Sequence, residues 1–273
     1  MAKYRLLRER LAITGLFDLH PAPLADASAI QIAHDAAYVR NFLTGQLDPA
    51  AMRRIGFPWS ESLVQRTCAS VGGTLAAAHQ AVQSGWSGTL AGGTHHAFYD
   101  EGSGYCIFND LVIAIKTLRA EGLIHRAAVI DLDVHQGDGT AAMLANDPLS
   151  YTLSVHGRHN FPFRKQQSRL DVELEDGTAD EEYLARVAEA LPTVLAFAPD
   201  VVFYQSGVDS LATDALGRLS VTPTGMAARD QLVLESTRHL PLVITLGGGY
   251  SNPIELTVDA HEQTFRLAAQ RLA

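Results

Sequence analysis

The stretch Ala128-Val129-Ile130-Asp131-Leu132-Asp133-Val134-His135-Gln136-Gly137-Asp138-Gly139 decides how this chain is read. Its first half is a short apolar run rich in β-branched residues, the pattern of a strand buried on both faces of a parallel sheet. The run ends in Asp131, Asp133, His135 and Asp138. Unpaired buried carboxylates are costly, so they need a cation or close hydrogen-bond donors. Asp131, Asp133 and His135 are two apart, and along a strand they would project to one side and could converge on one ion. Alone, D-x-H fits equally a βα turn whose Asp caps a helix; the rest of the chain decides between the two.

Working outward, helical and strand patterns alternate. A basic amphipathic helix is expected over 3–12, and one helix over 28–43, with Asp26 or Ser28 as cap and Gly45 as stop. The stretch 53–59 reads as loop, and Ser60 caps a long helix to about Ser84, closed by Gly85. Strands are expected at 87–91, 127–132, 150–155, 201–205 and 242–246, with helices at 109–120, 139–145, 178–197, 224–238 and 253–272. The segment 156–176 reads as one long loop, and Thr178 with Glu181 as a capping box. The βαβα alternation predicts a single α/β domain over residues 1–273, a mostly parallel central sheet with helices on both faces.

In open α/β sheets, ligands bind beyond the carboxyl ends of the strands. Here successive strand ends carry His95-His96, the Asp131 to Asp138 group, Ser154-Val155-His156, Asp209 and Gly249-Tyr250. Asp133, His135 and Asp209 are the ligands expected for a zinc ion, since three protein ligands and an open position make a catalytic rather than a structural site. Such an ion polarises a carbonyl and activates water, which predicts hydrolysis. His95 and His96 suit proton transfer near neutral pH. Asp131 and Asp138 remain to orient them. Tyr250, after three glycines, can donate to a developing oxyanion, although a Gly-Gly-Gly-Tyr run by itself fits a tight turn with a packed ring just as well.

Composition narrows the field. At 273 residues and 47% hydrophobic, the chain can bury one large core. With 21 Lys and Arg against 30 Asp and Glu, the net charge of −9 gives no electrostatic footprint for nucleic acid or anionic membrane. Two cysteines, Cys68 and Cys106, are too few and too far apart for a disulfide framework and fit a reducing cytoplasm. No apolar run reaches the length of a membrane span, and the start MAKYRLLRER lacks the apolar core of a signal peptide.

The motifs GGTHHA, GYCIFND, VIDLDVHQGDG, SGVDSLATDALGRLSVT and LGGGY, in this order and spacing, resemble the zinc-dependent histone deacetylase family of the arginase–deacetylase fold. The segment 156–184, with KYRLLRERL near the start, is more similar to the class IV branch and its bacterial relatives. The resemblance implies zinc at Asp133, His135 and Asp209, a general acid/base pair His95 and His96 backed by Asp131 and Asp138, and Tyr250 polarising the substrate carbonyl. It further implies a structural potassium ion, held by backbone carbonyls of Asp131, Asp133, His135 and Val155 with the side chains of Asp131 and Ser154. It also implies a tunnel lined by Tyr105, Phe161 and Leu216, with the Gly104 carbonyl accepting the substrate amide and Cys106 at a position beside it; read by itself, Cys106 is a buried small hydrophobe. The partner implied is an acyl-lysine protein or peptide, including long acyl chains, or an acylated polyamine or other small amine. The non-enzymatic alternative is an acyl-binding module, and a dimanganese ureohydrolase of the same fold is the alternative chemistry. Against the family's pattern, a strand and loop that usually precede KYRLLRERL are not in this sequence, which predicts an exposed sheet edge, a more open rim and a possible homodimer.

Overall fold

The structure is a computed structural model that describes residues 2–272. In chain order, helices α1 (Ala2–Ala12), α2 (Ala27–Gln31), α3 (Ala36–Leu43), α4 (Pro49–Ile55) and α5 (Glu61–Ser84) lead into strand β1 (Trp86–Gly88). Then come α6 (Asp110–Ala120), β2 (Ala127–Asp131), α7 (Asp138–Leu144), β3 (Ser150–Gly157) and β4 (Leu170–Leu174). The chain closes with α8 (Asp180–Ala196), β5 (Val201–Gln205), α9 (Pro223–Ser236), β6 (Leu242–Thr245) and α10 (Ile254–Arg271). The six strands form one sheet in the order β1-β6-β5-β2-β3-β4, with every pair parallel.

Alternation along the strands divides the core into two layers, because successive side chains point to opposite faces. Ala128, Ile130, Val202, Tyr204, Leu242 and Ile244 pack against α1, α8, α9 and α10. Ala127, Val129, Val201, Phe203 and Val243 face the layer built by α2 to α6. Strand order also fixes where a ligand can sit. From β2 the chain runs outward through β3 to β4, then returns to place β5 on the other side of β2. The crevice beyond the ends of β2 and β5 is therefore the topological switch point, where α/β sheets bind ligands.

Four local expectations are corrected. The single helix over 28–43 is two, because Asp26 accepts from the Ala29 amide and Asp35 from the Tyr38 amide, so each opens its own helix. The stretch read as loop at 53–59 begins inside α4, which Asp48 caps and Pro49 starts. The loop 156–176 contains the edge strand β4, in register with β3 from Leu153↔Leu170 to Gly157↔Leu174. Its alternating Leu170, Val172 and Leu174 are the signal that could have shown it. Thr178 caps nothing: its hydroxyl donates to the Glu175 carbonyl. Asp180 instead accepts from the amide and hydroxyl of Thr222, tying the start of α8 to that of α9. Both cysteines are free and buried. Among the described residues, no helix is long and apolar enough to cross a membrane. Strand β1 is one edge of the sheet, and its residues are partly exposed.

Candidate active site

Strand β2 ends at Asp131, so Asp133 and His135 lie on the loop that leaves it, and Asp209 lies on the loop leaving β5. These three meet at the switch point. His135 Nδ1 is 3.0 Å from Asp133 Oδ1 and 3.1 Å from Asp209 Oδ2, and one ligand atom of each lies within 4.8 Å of the others. Backbone donors hold the carboxylates in place. Val134 N donates to Asp209 Oδ1 (2.8 Å), and Gly248 N donates to Asp133 Oδ2 (2.6 Å). Gly248 lies so close to both carboxylates that a side chain there would overlap Asp209.

Two buried carboxylates side by side repel each other, and their protons show it. Burial and then the charge of Asp133 push Asp209 up. Burial acts on Asp133 in the same sense, but His95 and His135 outweigh it and hold its carboxyl well below the ordinary range. This donor set fits a zinc ion: two carboxylates and one imidazole converge, with a cleft leaving one side open.

The loop after β1 brings His95 and His96 to the same point, with ring centroids 4.1 Å apart. His95 Nδ1 pairs with Asp131 Oδ2 and His96 Nδ1 with Asp138 Oδ1, each at 2.6 Å. The two rings titrate differently. Burial lowers His95, but Asp131 and Asp133 more than compensate and lift it to about 9. Burial, and then the neighbouring His95, push His96 down to about 4. Their surroundings thus drive the two rings in opposite directions, His95 toward the charged form and His96 toward the neutral one.

Several residues that build this arrangement lie in or beside the quoted motifs without a role the sequence assigns them, among them Asp110 in GYCIFND, Asp214 in SGVDSLATDALGRLSVT and Lys3 in KYRLLRERL. The buried Asp110 carboxylate accepts from Gly93 N, Thr94 N and the hydroxyls of Thr74 and Thr94, and so fixes the loop that carries the histidines. Gln205 donates to the Gly93 carbonyl (2.8 Å) and accepts from Thr245. Asp214 accepts from Tyr250 N (2.6 Å). Lys3, buried on α1, donates to the carbonyls of Gly247 and Gly249, and its ammonium lies 4.9 Å from the Tyr250 ring centroid. No carboxylate among the described residues pairs with it. Its pKa is lowered by burial, against the pull of Asp209, Asp133 and Asp214. The Tyr250 phenol is pushed up by burial and then by Tyr4 and Asp209, so it remains a proton donor.

A cleft of about 1960 Å³ joins the His95, His96, Asp133 and Asp209 group to the surface. Its mouth carries Phe57, Tyr105, Phe161, Phe163 and Leu216. Tyr105 has a φ of 66°, uncommon for a side-chain-bearing residue, and its amide donates to the Ile55 carbonyl. Gly104 packs between His96 and Phe161, and the Phe161 ring stands edge-on to His96 at 4.9 Å. Leu216 is tied across the mouth by its carbonyl, which accepts from Asn160. Phe163, 86% exposed beside Phe161, is an apolar mouth residue that sequence reasoning missed. The cleft also runs back along β1 to Arg8 and Pro21. Parallel pairing sets Asp131 opposite Ser154, with the buried Val155 next in line. Thus the structure brings these residues together beyond the carboxyl ends of the central strands.

Residues 1–264 match the histone deacetylase domain family. Over 274 residues the chain is 43% identical to an uncharacterized protein of Picosynechococcus sp., covering 98% of this chain and 91% of that one. It is 37% identical to histone deacetylase 2 of Arabidopsis thaliana over 186 residues, 66% of this chain but 48% of that protein, so it spans about half the length of that relative. The crystal structure of an acetylpolyamine aminohydrolase from Burkholderia pseudomallei superposes with a TM-score of 0.79 at 22% identity, covering 99% of this chain and 90% of the other, which shows a shared fold.

Proposed function

Because the chain belongs to the histone deacetylase family, we propose that it is a zinc-dependent deacylase that hydrolyses the amide of an acylated lysine, or of a related acylated amine. The observation that carries this reading is the convergence of Asp133, His135 and Asp209 beside two His–Asp pairs at 2.6 Å. Asp133, His135 and Asp209 would hold the zinc ion, which supplies Lewis acidity to the amide carbonyl and to water.

The chain's own groups do the rest. The mouth residues Tyr105, Phe161 and Leu216 enclose the apolar arm of the substrate, and the Gly104 carbonyl accepts its amide N–H. Tyr250 donates a hydrogen bond to the carbonyl oxygen as negative charge develops there, a contact that acts mainly in the transition state. His96 is the neutral ring, with its Nδ1 engaged by Asp138, so its Nε2 accepts the proton of the attacking water. His95, held charged by Asp131, stabilises the anionic intermediate. The proton taken by His96 then goes to the leaving nitrogen as the C–N bond breaks, and the second proton of the water passes from the nascent acid to the released amine, giving an ammonium and a carboxylate. A potassium ion held by Asp131, Ser154 and the carbonyls of Asp131, Asp133, His135 and Val155 would steady the same loop; the Asp131–Ser154 register supports this. Two buried, separated cysteines support a reducing, cytoplasmic setting.

The test is hydrolysis of acyl-lysine peptides, from acetyl to myristoyl, and of acylated polyamines, with and without a zinc chelator. Chelator-sensitive turnover is expected. Tight zinc binding with no turnover on any amide would favour a binding module instead.

A further inference from the structure

Behind the Asp209 loop lies a buried charged cluster that the chemistry above does not use. Arg229 of α9 is fully buried, with its Nε and Nη2 donating to Asp230 Oδ1 at 3.0 and 2.7 Å. Asp230 also accepts from the Tyr204 hydroxyl (2.5 Å) and, on its other oxygen, from Thr264 of α10 (2.6 Å). The Arg229–Asp230 pair is therefore locked to β5, α9 and α10 at once. Its remaining donor, Nη1, reaches out of the cluster to the Gly207 carbonyl at 2.5 Å.

Gly207 sits two residues before Asp209, and its backbone runs hard against the other carboxylate. A Cβ on Gly207 would lie 2.5 Å from Asp133 Oδ2 and 2.8 Å from Asp133 Cα. The position of that one peptide thus bears on two of the three converging ligands. An apolar set of similar volume would stabilise the core as well as a buried Arg–Asp pair does. What it could not do is grip the Gly207 carbonyl, which would otherwise point into the core without a donor.

We infer that Arg229 is a positioning residue for the metal site, setting the spacing of Asp133 and Asp209 through its hydrogen bond to Gly207. The inference rests on the zinc reading above. Removing the partners that orient metal ligands typically weakens metal binding by about 10–100-fold.

The experiment measures zinc affinity by chelator competition in the wild-type protein, in Arg229→Met and in Arg229→Lys, with unfolding of each metal-free protein followed in parallel. Arg229→Met is expected to bind zinc about 10–100-fold more weakly, and Arg229→Lys to lie between, since one ammonium cannot serve Asp230 and Gly207 together. A folded Arg229→Met with wild-type zinc affinity would overturn the inference, whatever its stability, because a merely structural role lowers only stability. If Arg229→Met does not fold, Arg229→Lys decides alone: weakened zinc supports the inference, and unchanged zinc overturns it. A wild-type protein that binds no zinc would instead defeat the reading on which the inference rests.

Discussion

The Lys3 ammonium lies under the Tyr250 ring, 4.9 Å from its centroid, while donating to the carbonyls of Gly247 and Gly249. One buried cation from the first helix thereby fixes both the three-glycine turn and the ring it presents. Lys3→Met keeps the apolar stem and removes these bonds. It is expected to lower kcat by roughly 10–100-fold and to weaken zinc binding as well, because the same turn carries Gly248, whose amide holds Asp133. Equal kcat would show that the turn holds Tyr250 unaided.

Tyr250→Phe removes the phenol and leaves the ring. Loss of one oxyanion donor costs about 10²–10³-fold in kcat, with KM and bound zinc little altered. Steady-state kinetics with metal analysis checks this, and unchanged turnover would remove Tyr250 from the chemistry.

Asp110→Asn keeps the shape but leaves one oxygen where two accepted four hydrogen bonds. Buried donors left without acceptors cost about 1–3 kcal/mol each, so stability is expected to fall by about 2–4 kcal/mol in denaturant unfolding. Turnover falls with it as the His95-His96 loop loosens. A neutral outcome would place the hold on that loop in Gln205 instead.

These supporting residues mark the limit of what the sequence shows. The strands, and the polar groups at their ends, are local patterns: an apolar run followed by Asp133 and His135 is legible without knowing its neighbours. Lys3 and Gly249, or Arg229 and Gly207, meet only through the fold. The spacing Lys3, Leu7, Leu11 sets Lys3 on the buried face of α1, apart from the exposed Arg5 and Arg8, but the glycine carbonyls it meets there cannot be read from that periodicity. Strand β4 was hidden for a related reason, since a short edge strand with one buried face leaves only the alternation of Leu170, Val172 and Leu174 as its signal. The break between α2 and α3 turned on Asp35, whose capping bond outweighs the continuous helical spacing around it.

His34 supplies a pH dependence. Its Nε2 accepts from Asn109 N (2.8 Å) and its Nδ1 pairs with the Tyr99 carbonyl, so the neutral ring is the one that fits. Burial lowers it to about 4. Protonation therefore favours the unfolded chain. The stability contributed by His34 is complete above about pH 6.5 and is lost as pH falls toward 4, by up to about 1.4 kcal/mol per pH unit. Denaturant unfolding at pH 7, 6 and 5 should show a flatter pH dependence for His34→Gln than for the wild-type protein. Parallel slopes would contradict the assignment.

The most direct test of the account is turnover of an acetyl-lysine peptide by metal-free protein as zinc is added back in known amounts. Activity should be absent without metal, rise in proportion to zinc and level off at one ion per chain, the capacity of a single Asp133, His135 and Asp209 set. Full turnover in the metal-free protein, or activity that requires two manganese ions per chain, would contradict it.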